Sequence, residues 1–549
     1  MRHVGRQMLI GLWGLLLVGS SHGVAGPPTA TEFLESPPLV RVEVSNAGRL
    51  LNHPRIQGFV KRIATTAEFR HQWNRPEADP IQQVLAYAER VTGETGTAGL
   101  AELLSGRLSL AVAGPKQYVW LYELSDATYR ERLSSELAAL GVRKTETPDI
   151  RKLGSMSVGL IDRWLVGSED RSTVALALEK LKSSPPARND DAPILNLWLD
   201  WKTLNSLNKK PDRLQLPVKD AGQLIVFGNW LGLLVGTDEL TVHVTENDHK
   251  LQIEVLGDGN ADAPASLFGN GAKLAPLLNG PGTLWSVSGL RDWSGLWQDR
   301  EELMTPQVIA AAEKANEQIA QQFKALRSQF YPIELAETLG PQFRWAIARQ
   351  QNLDYHIDEN NSLPAAVLTV SLRDAKRFRE ITAGPLRAVS FIAAFGEAKM
   401  RSVAEDYQGV KISSLAFRDD AVSVKNFDQR LFNLRPAWAT TDDHFILGST
   451  TEIVRNTLDE INSTAAESPN TNVIAAQAGS FAELAAALRD YRRTIVDETV
   501  LNNGIAPDTA NSDFDIVADA IKTLGNLQGQ LERTPHGFHY TLTWMTENP

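Results

Sequence analysis

The chain has 549 residues, 43% of them hydrophobic, with no cysteine and a formal net charge of −11. Such a composition is globular rather than disordered and long enough for several cores, which must hold without disulfides. The acidic balance, with no Lys/Arg block, argues against nucleic acid as a partner, because phosphate backbones are bound by clustered basic side chains.

The first predicted element is an export signal. Arg2 and Arg6 precede an apolar run from Met8 to Gly19, and Gly23 and Ala25 fit the −3 and −1 positions of a signal-peptidase site. A helix of about 12 residues spans roughly 18 Å, against roughly 30 Å of hydrocarbon. The expectation is a signal over 1–25, cleavage after Ala25, no stable membrane span afterwards, and a periplasmic or secreted protein. Lipidation is not expected, because no cysteine stands at the cleavage site.

A first α+β module is predicted over 37–257. It opens with a strand at 39–44, followed by helices at 56–69 and 81–91 and by strands at 108–113 and 118–124. A hairpin at 157–160 and 164–166 leads through Gly167-Ser168 into a helix carrying Val174, Leu178 and Leu181. A strand at 194–199, a short helix and a closing hairpin at 239–244 and 250–255 complete it. Residues 258–279 form a turn-rich linker.

A second module, over 280–549, repeats this order. Leu100-Ala-Glu-Leu-Leu aligns with Leu335-Ala-Glu-Thr-Leu, and the match continues without a gap to Ala113 and Ala348. Leu124-Ser-Asp-Ala127 recurs as Leu372-Arg-Asp-Ala375, and Gly167-Ser168 as Gly448-Ser449. A strand at 283–288 is followed by a long helix with Thr305 as N-cap and Pro306 at its first position. Strands at 343–348 and 366–372 come next. The hairpin equivalent to 157–166 is placed at 410–415 and 438–447. A strand at 473–477 and a closing hairpin at 528–533 and 538–545 end the module. Insertions at 354–363, 394–406 and 418–435 are expected to be surface loops or added edges, and a polar loop at 502–513 is expected to split a helical stretch. The fold class expected is α+β, with two tandem homologous modules, each a mainly antiparallel sheet covered by helices on one face.

Candidate sites are weak. Asp126 and Asp374 recur before helices, and Ser168 and Ser449 recur at strand-to-helix turns; both pairs suit N-capping. No Gly-x-Ser-x-Gly occurs outside the signal, and no histidine recurs in step with the serines. His536 with His539, His243 with His249, and Asp442-Asp443-His444 are possible metal ligands but read better as turn residues. Asp258, Asn260 and Asp262 begin like a calcium loop, which then fails at Ala263 and Gly269. No catalytic, cofactor-binding or metal residue is therefore assigned, and no cofactor is expected. Trp285, Trp293 and Trp297 form a possible recognition surface, while Trp198 and Trp201 sit late in the first module.

The tandem layout, the export signal and the Gly-Ser and Leu-x-Asp-Ala junctions resemble a family of exported bacterial proteins of unknown function built from paired α+β modules. The likeness covers nearly all of the chain after the signal. It implies a fold but no activity and no functional residue. The functional expectation is a non-catalytic envelope protein binding a partner protein or a polymer such as a polysaccharide. The alternatives are a carrier of a lipid or other apolar ligand held between the modules, and a hydrolase with a site built from distant loops.

Overall fold

Val40, Val42 and Val44 alternate with Arg41 and Glu43 along the first strand, so one face of it is apolar. Val42 and Val44 are buried there. The computed structural model describes residues 28–139, 143–144, 150–182, 193–207, 216–247, 250–259, 264–269, 271–325, 330–350, 363–395, 400–418, 434–463 and 472–545. The predicted signal with Ala25 and most of the insertions at 354–363 and 418–435 lie outside them.

The first ten strands are β1 (Val40–Ser45), β2 (Arg107–Gly114), β3 (Gln117–Glu123), β4 (Arg143–Lys144), β5 (Ile150–Leu153), β6 (Met156–Ile161), β7 (Trp164–Ser168), β8 (Leu195–Asp200), β9 (Glu239–Asn247) and β10 (Lys250–Asp258). The next ten are β11 (Thr283–Leu290), β12 (Leu339–Ala348), β13 (Ala365–Leu372), β14 (Met400–Tyr407), β15 (Val410–Phe417), β16 (Ala437–Thr440), β17 (His444–Gly448), β18 (Val473–Ser480), β19 (Asn526–Thr534) and β20 (Gly537–Met545).

All of them join one antiparallel sheet. From one edge to the joint the order is β4-β5-β6-β7-β3-β2-β1-β8-β9-β10. From the other edge it is β14-β15-β16-β17-β13-β12-β11-β18-β19-β20. The two orders correspond strand for strand. They meet where β10 pairs with β20, and the midpoints of those strands, Glu254 and Thr541, face each other.

This topology bears on three expectations. The counterpart of the β6–β7 hairpin is β16–β17, so the pairing of 410–415 with 438–447 as that hairpin was one strand out: β15 stands where β5 does. The stretch 394–406 contributes an edge strand, β14, one of the two forms expected of it. The polar loop at 502–513 shrinks to residues 504–506, because Pro507 starts a new helix that runs to Lys522.

Helices cover both faces of the sheet rather than one. In the first half, the helix Arg171–Leu181 and the short turn Ala30–Phe33 pack on Ala111, Val119, Leu121 and Val166. On the opposite face, the helices Asp79–Thr92 and Tyr129–Ala139 pack on Val42, Val44, Leu108, Val158 and Leu165 through Val91, Leu133 and Leu137. The run Tyr118-Val-Trp-Leu-Tyr in β3 is apolar on both faces, as a strand buried on both sides requires.

The joint between the halves is solid. The helix Ala221–Val235 and the linker contribute Leu224, Leu231, Leu267, Phe268 and Leu274 to one core with Leu290, Leu296, Leu303, Ile474, Leu531 and Phe538. Residues 264–269 and 271–279 of this stretch thus pack into the core. Arg291, 1% exposed, locks the helix down by donating to Leu224 O and to Asn229 Oδ1, while Asn229 donates to Leu290 O. Burial lowers its pKa to about 10, which leaves it charged at neutral pH. Gly228 makes room, since a Cβ there would lie 2.7 Å from Arg291 Nη1.

The exchange is reciprocal. The helix Pro507–Lys522, which precedes the second closing hairpin as Ala221–Val235 precedes the first, packs on Pro54–Ile63 and Ala67–Trp73 of the first half. Its Asp513 accepts from the Ala67 and Glu68 amides at 2.6 and 3.1 Å, capping the first-half helix from outside.

Candidate functional site

One row of side chains distinguishes the halves. The sequence alignment of Leu100–Ala113 with Leu335–Ala348 places Leu110 at Trp345. Strand register then carries the comparison outward. Leu110 faces Val42 and Trp120, and Trp345 faces Val287 and Leu368. Trp120 faces Gly167, which faces Val158; Leu368 faces Leu447, which faces Trp438. The Leu-x-Asp-Ala junctions check this register, because Leu124 lies four residues after Trp120 and Leu372 four after Leu368.

In the first half the row is closed. Val42 and Val158 are buried, and Leu110 and Trp120 join the core formed with the helices Asp79–Thr92 and Tyr129–Ala139. Trp120 lies down over β7, since a Cβ on Gly167 would be 2.2 Å from its ring, and its Nε1 donates to Met156 Sδ at 3.4 Å.

In the second half the row is open. Leu368 is 39% and Leu447 41% exposed, and Val287, Trp345 and Trp438 are half-buried outside every core cluster of the described residues. Strand register puts Leu447, and not Gly448 as the Gly-Ser match expects, where Gly167 stands, so no neighbouring ring can lie flat there. The helix Pro306–Ala325, which follows β11 as Asp79–Thr92 follows β1, has no fully buried side chain among its described residues. It leans on Arg300–Leu303 and Pro332–Thr338. The result is a strip of two indoles and two leucines across four strands, an apolar surface of the kind that marks an interaction site.

The polar candidates do not assemble into chemistry. A shallow recess of about 290 Å³ is lined by Gln342, Ser371, Arg373, Asp443 and His444. Ser371 and His444 face each other across β13 and β17. Ser371 Oγ is engaged with the main chain of Gln342, accepting from N at 3.0 Å and donating to O at 3.3 Å. Burial, and then the Arg344 charge, lower the His444 pKa and keep its ring neutral. Among the described residues no hydrogen bond links that ring to Ser371 or Asp443, so a Ser-His-Asp relay is not formed. Asp442 pairs with Arg379 at 2.9 Å.

Among the described residues no three His, Asp or Glu side chains converge as metal ligands. His539 lies 3.8 Å from Glu254 across the joint and 3.1 Å from Thr541 Oγ1, while His536 stands in the turn before β20. His243 faces Glu254 from β9, and burial lowers its pKa. His249, Asn260 and Asp262 lie outside the described residues, and Asp258 ends β10.

The capping candidates divide. Asp126 accepts from Thr128 N and Asp374 from Arg377 N, both at 2.8 Å, at the starts of their helices. Ser168 and Ser449 are not caps. Each ties its strand end to the neighbouring strand, Ser168 donating to Tyr118 O and Ser449 accepting from Ala366 N. The caps are Asp170, which accepts from Ser172 N and Thr173 N, and Thr450, which accepts from Ile453 N.

Trp285, Trp293 and Trp297 do not form one exposed surface. Trp293 packs edge-on against Phe343 at 6.0 Å and joins the central core. Trp285 lies over Gly479, and Trp297 stacks under Arg300 at 5.0 Å. All three are half-buried. Trp198 is held by Arg41 over its ring and by Glu239 at its Nε1. The indoles that matter, Trp345 and Trp438, passed unnoticed in the sequence because they read as ordinary core positions of β strands.

No helix among the described residues is long and apolar enough to cross a membrane. No protein-family profile matches the chain, and no curated protein matches it. Among solved structures, crystal form IV of TP0453 matches with 10% identity and a TM-score of 0.23, over 42% of this chain and 81% of that one. Crystal form III of TP0453 matches with 11% identity and a TM-score of 0.24, over 44% and 84%. Similarity of this extent assigns the chain to no family.

Proposed function

We propose that residues 37–257 and 280–549 are two copies of one module, and that the chain is an exported, non-catalytic envelope protein. It binds a partner protein or polymer through the apolar row of its second copy. The supporting observation is the contrast within the row: Gly167 and Val158 are buried in the first copy and Trp120 is half-buried, whereas their counterparts Leu447 and Leu368 are exposed and Trp438 is half-buried in the second. Duplication frees one copy to keep the fold while the other trades its cover for a binding strip. Indole faces suit apolar side chains and the faces of sugar rings alike. A carried apolar ligand would have to use the same strip, because the joint between the copies is filled with side chains.

A photo-reactive phenylalanine analogue at position 447, activated in the producing cells, tests this reading. A discrete adduct that disappears when Leu368→Glu is added is the expected result. An adduct pattern indifferent to Leu368→Glu, or the same pattern from the buried position 158, would refute it.

A further inference from the structure

At one end of the sheet the edge strand β14 runs for eight residues, Met400–Tyr407. The β14–β15 hairpin closes through Gln408 and Gly409, both at positive φ (52° and 79°), between the facing residues Tyr407 and Val410. A two-residue turn of this kind makes its flanking pair a hydrogen-bonded one. Tyr407, Glu405, Val403 and Arg401 therefore share their main-chain bonds with β15. Asp406, Ala404 and Ser402, all exposed, turn theirs outward. Among the described residues no main-chain hydrogen bond reaches that outer side.

Beneath this edge packs the helix Ala375–Phe395. Near its end Val389, Phe391 and Ile392 are 45%, 59% and 56% exposed. A bare strand edge beside exposed apolar side chains is a template for another strand.

We propose that β14 pairs antiparallel with β14 of a second copy of this chain, about a two-fold axis through Val403. A two-fold axis normal to the sheet keeps each residue on its own face, so only an even register is possible. Centring on Val403 places Ser402 opposite Ala404 as a hydrogen-bonded pair, matching the outward main-chain groups. It also sets Arg401 of each copy opposite Glu405 of the other as a non-hydrogen-bonded pair, where side chains approach closest. Glu405 keeps its two bonds from Arg455, at 2.7 and 2.6 Å, and gains a second cation. The same pairing already operates inside the chain, where β10 and β20 join edge to edge with their midpoints facing. Because the two-fold axis uses the β14 edge of both copies, the assembly closes as a dimer and leaves no β14 edge from which a fibre could grow.

Sedimentation equilibrium on the full chain, without its export signal, tests this. A reversible dimer is expected, weakened by salt. Ala404→Pro removes only an outward N–H, a change an edge strand tolerates. It should leave circular dichroism and melting unchanged while weakening the dimer by about tenfold or more. Arg401→Glu, on the exposed edge, should weaken it by several-fold and more so at low salt, and Phe391→Ser with Ile392→Ser should also weaken it. A monomer at every concentration would overturn the proposal. So would a dimer that tolerates both Ala404→Pro and Arg401→Glu, or assembly beyond two copies.

Discussion

Val42 and Val287 hold the same place in two matching strand orders, yet the first is fully buried and the second is not. The difference continues across four strands to Val158 and Trp438. Part of it lies in the strands, where Gly167 admits the Trp120 ring and Leu447 does not. The helices decide the rest. In the first half the helix Asp79–Thr92, which follows β1, and the helix Tyr129–Ala139, which follows β3, close over the row through Val91, Leu133 and Leu137. In the second, the helix Pro306–Ala325 has no fully buried side chain among its described residues, and the helix Ala375–Phe395 packs on Phe445 beside the strip, so Leu368 and Leu447 stay exposed. The same sheet surface is a core position or an exposed apolar strip according to what is laid on it.

The largest expected effect breaks the closed row. Val158→Asp buries a carboxylate with no partner and should cost about 4 kcal/mol or more in chemical denaturation, whereas Leu447→Asp should change stability by about 1 kcal/mol or less. Equal losses would mean that the rows do not differ. Arg291→Ala comes next. It leaves Leu224 O and Asn229 Oδ1 without their donor inside the joint and should cost about 2–4 kcal/mol. If the halves melt as one unit, that loss shifts a single transition; two transitions would show that the joint is weaker than its core suggests.

Smaller effects sharpen the reciprocal helix exchange and the capping assignments. Asp513→Ala uncaps a first-half helix from the second half and should cost about 1 kcal/mol, visible as loss of helix signal near Ala67–Trp73 in hydrogen exchange. Asp170→Ala should cost about 1 kcal/mol or less at pH 7, given the exposure of the site. Hydrogen bonds from Ser172 and Thr173 lower the Asp170 pKa from 3.8 to about 2. A depressed carboxylate stabilises the fold above its ordinary pKa, so the difference between wild type and Asp170→Ala should shrink as pH falls from about 4 to about 2. Ser168→Ala, by contrast, should leave the helix Arg171–Leu181 capped.

Much of the architecture was legible because it is local. The Leu-Ala-Glu match, the Leu-x-Asp-Ala junctions and the alternation in β1 give the order of strands and helices along the chain, but not the order of strands in the sheet. The two-faced cover was legible too, in the unbroken apolar run of β3, but was read as a single-sided sheet. What could not be read depends on contacts far apart in sequence. The capping of Ala67 by Asp513, the descent of Arg291 onto Asn229 and the filling of the linker by Leu267 and Phe268 leave no local periodicity. The open strip failed for a related reason: Trp345, Leu368, Leu447 and Trp438 look like core residues, and only the absent cover distinguishes them. Trp293 shows the converse, a clustered indole that turned out to be packing.

The chain has no cysteine, so a single one can be placed wherever solvent access is in question. Leu447→Cys and Val158→Cys, each labelled with a maleimide in the native state, test the contrast most directly. The account predicts rapid labelling at 447, near the rate of an open thiol, and protection at 158 until the fold is unfolded. Equal rates at the two positions, or protection at both, would contradict it.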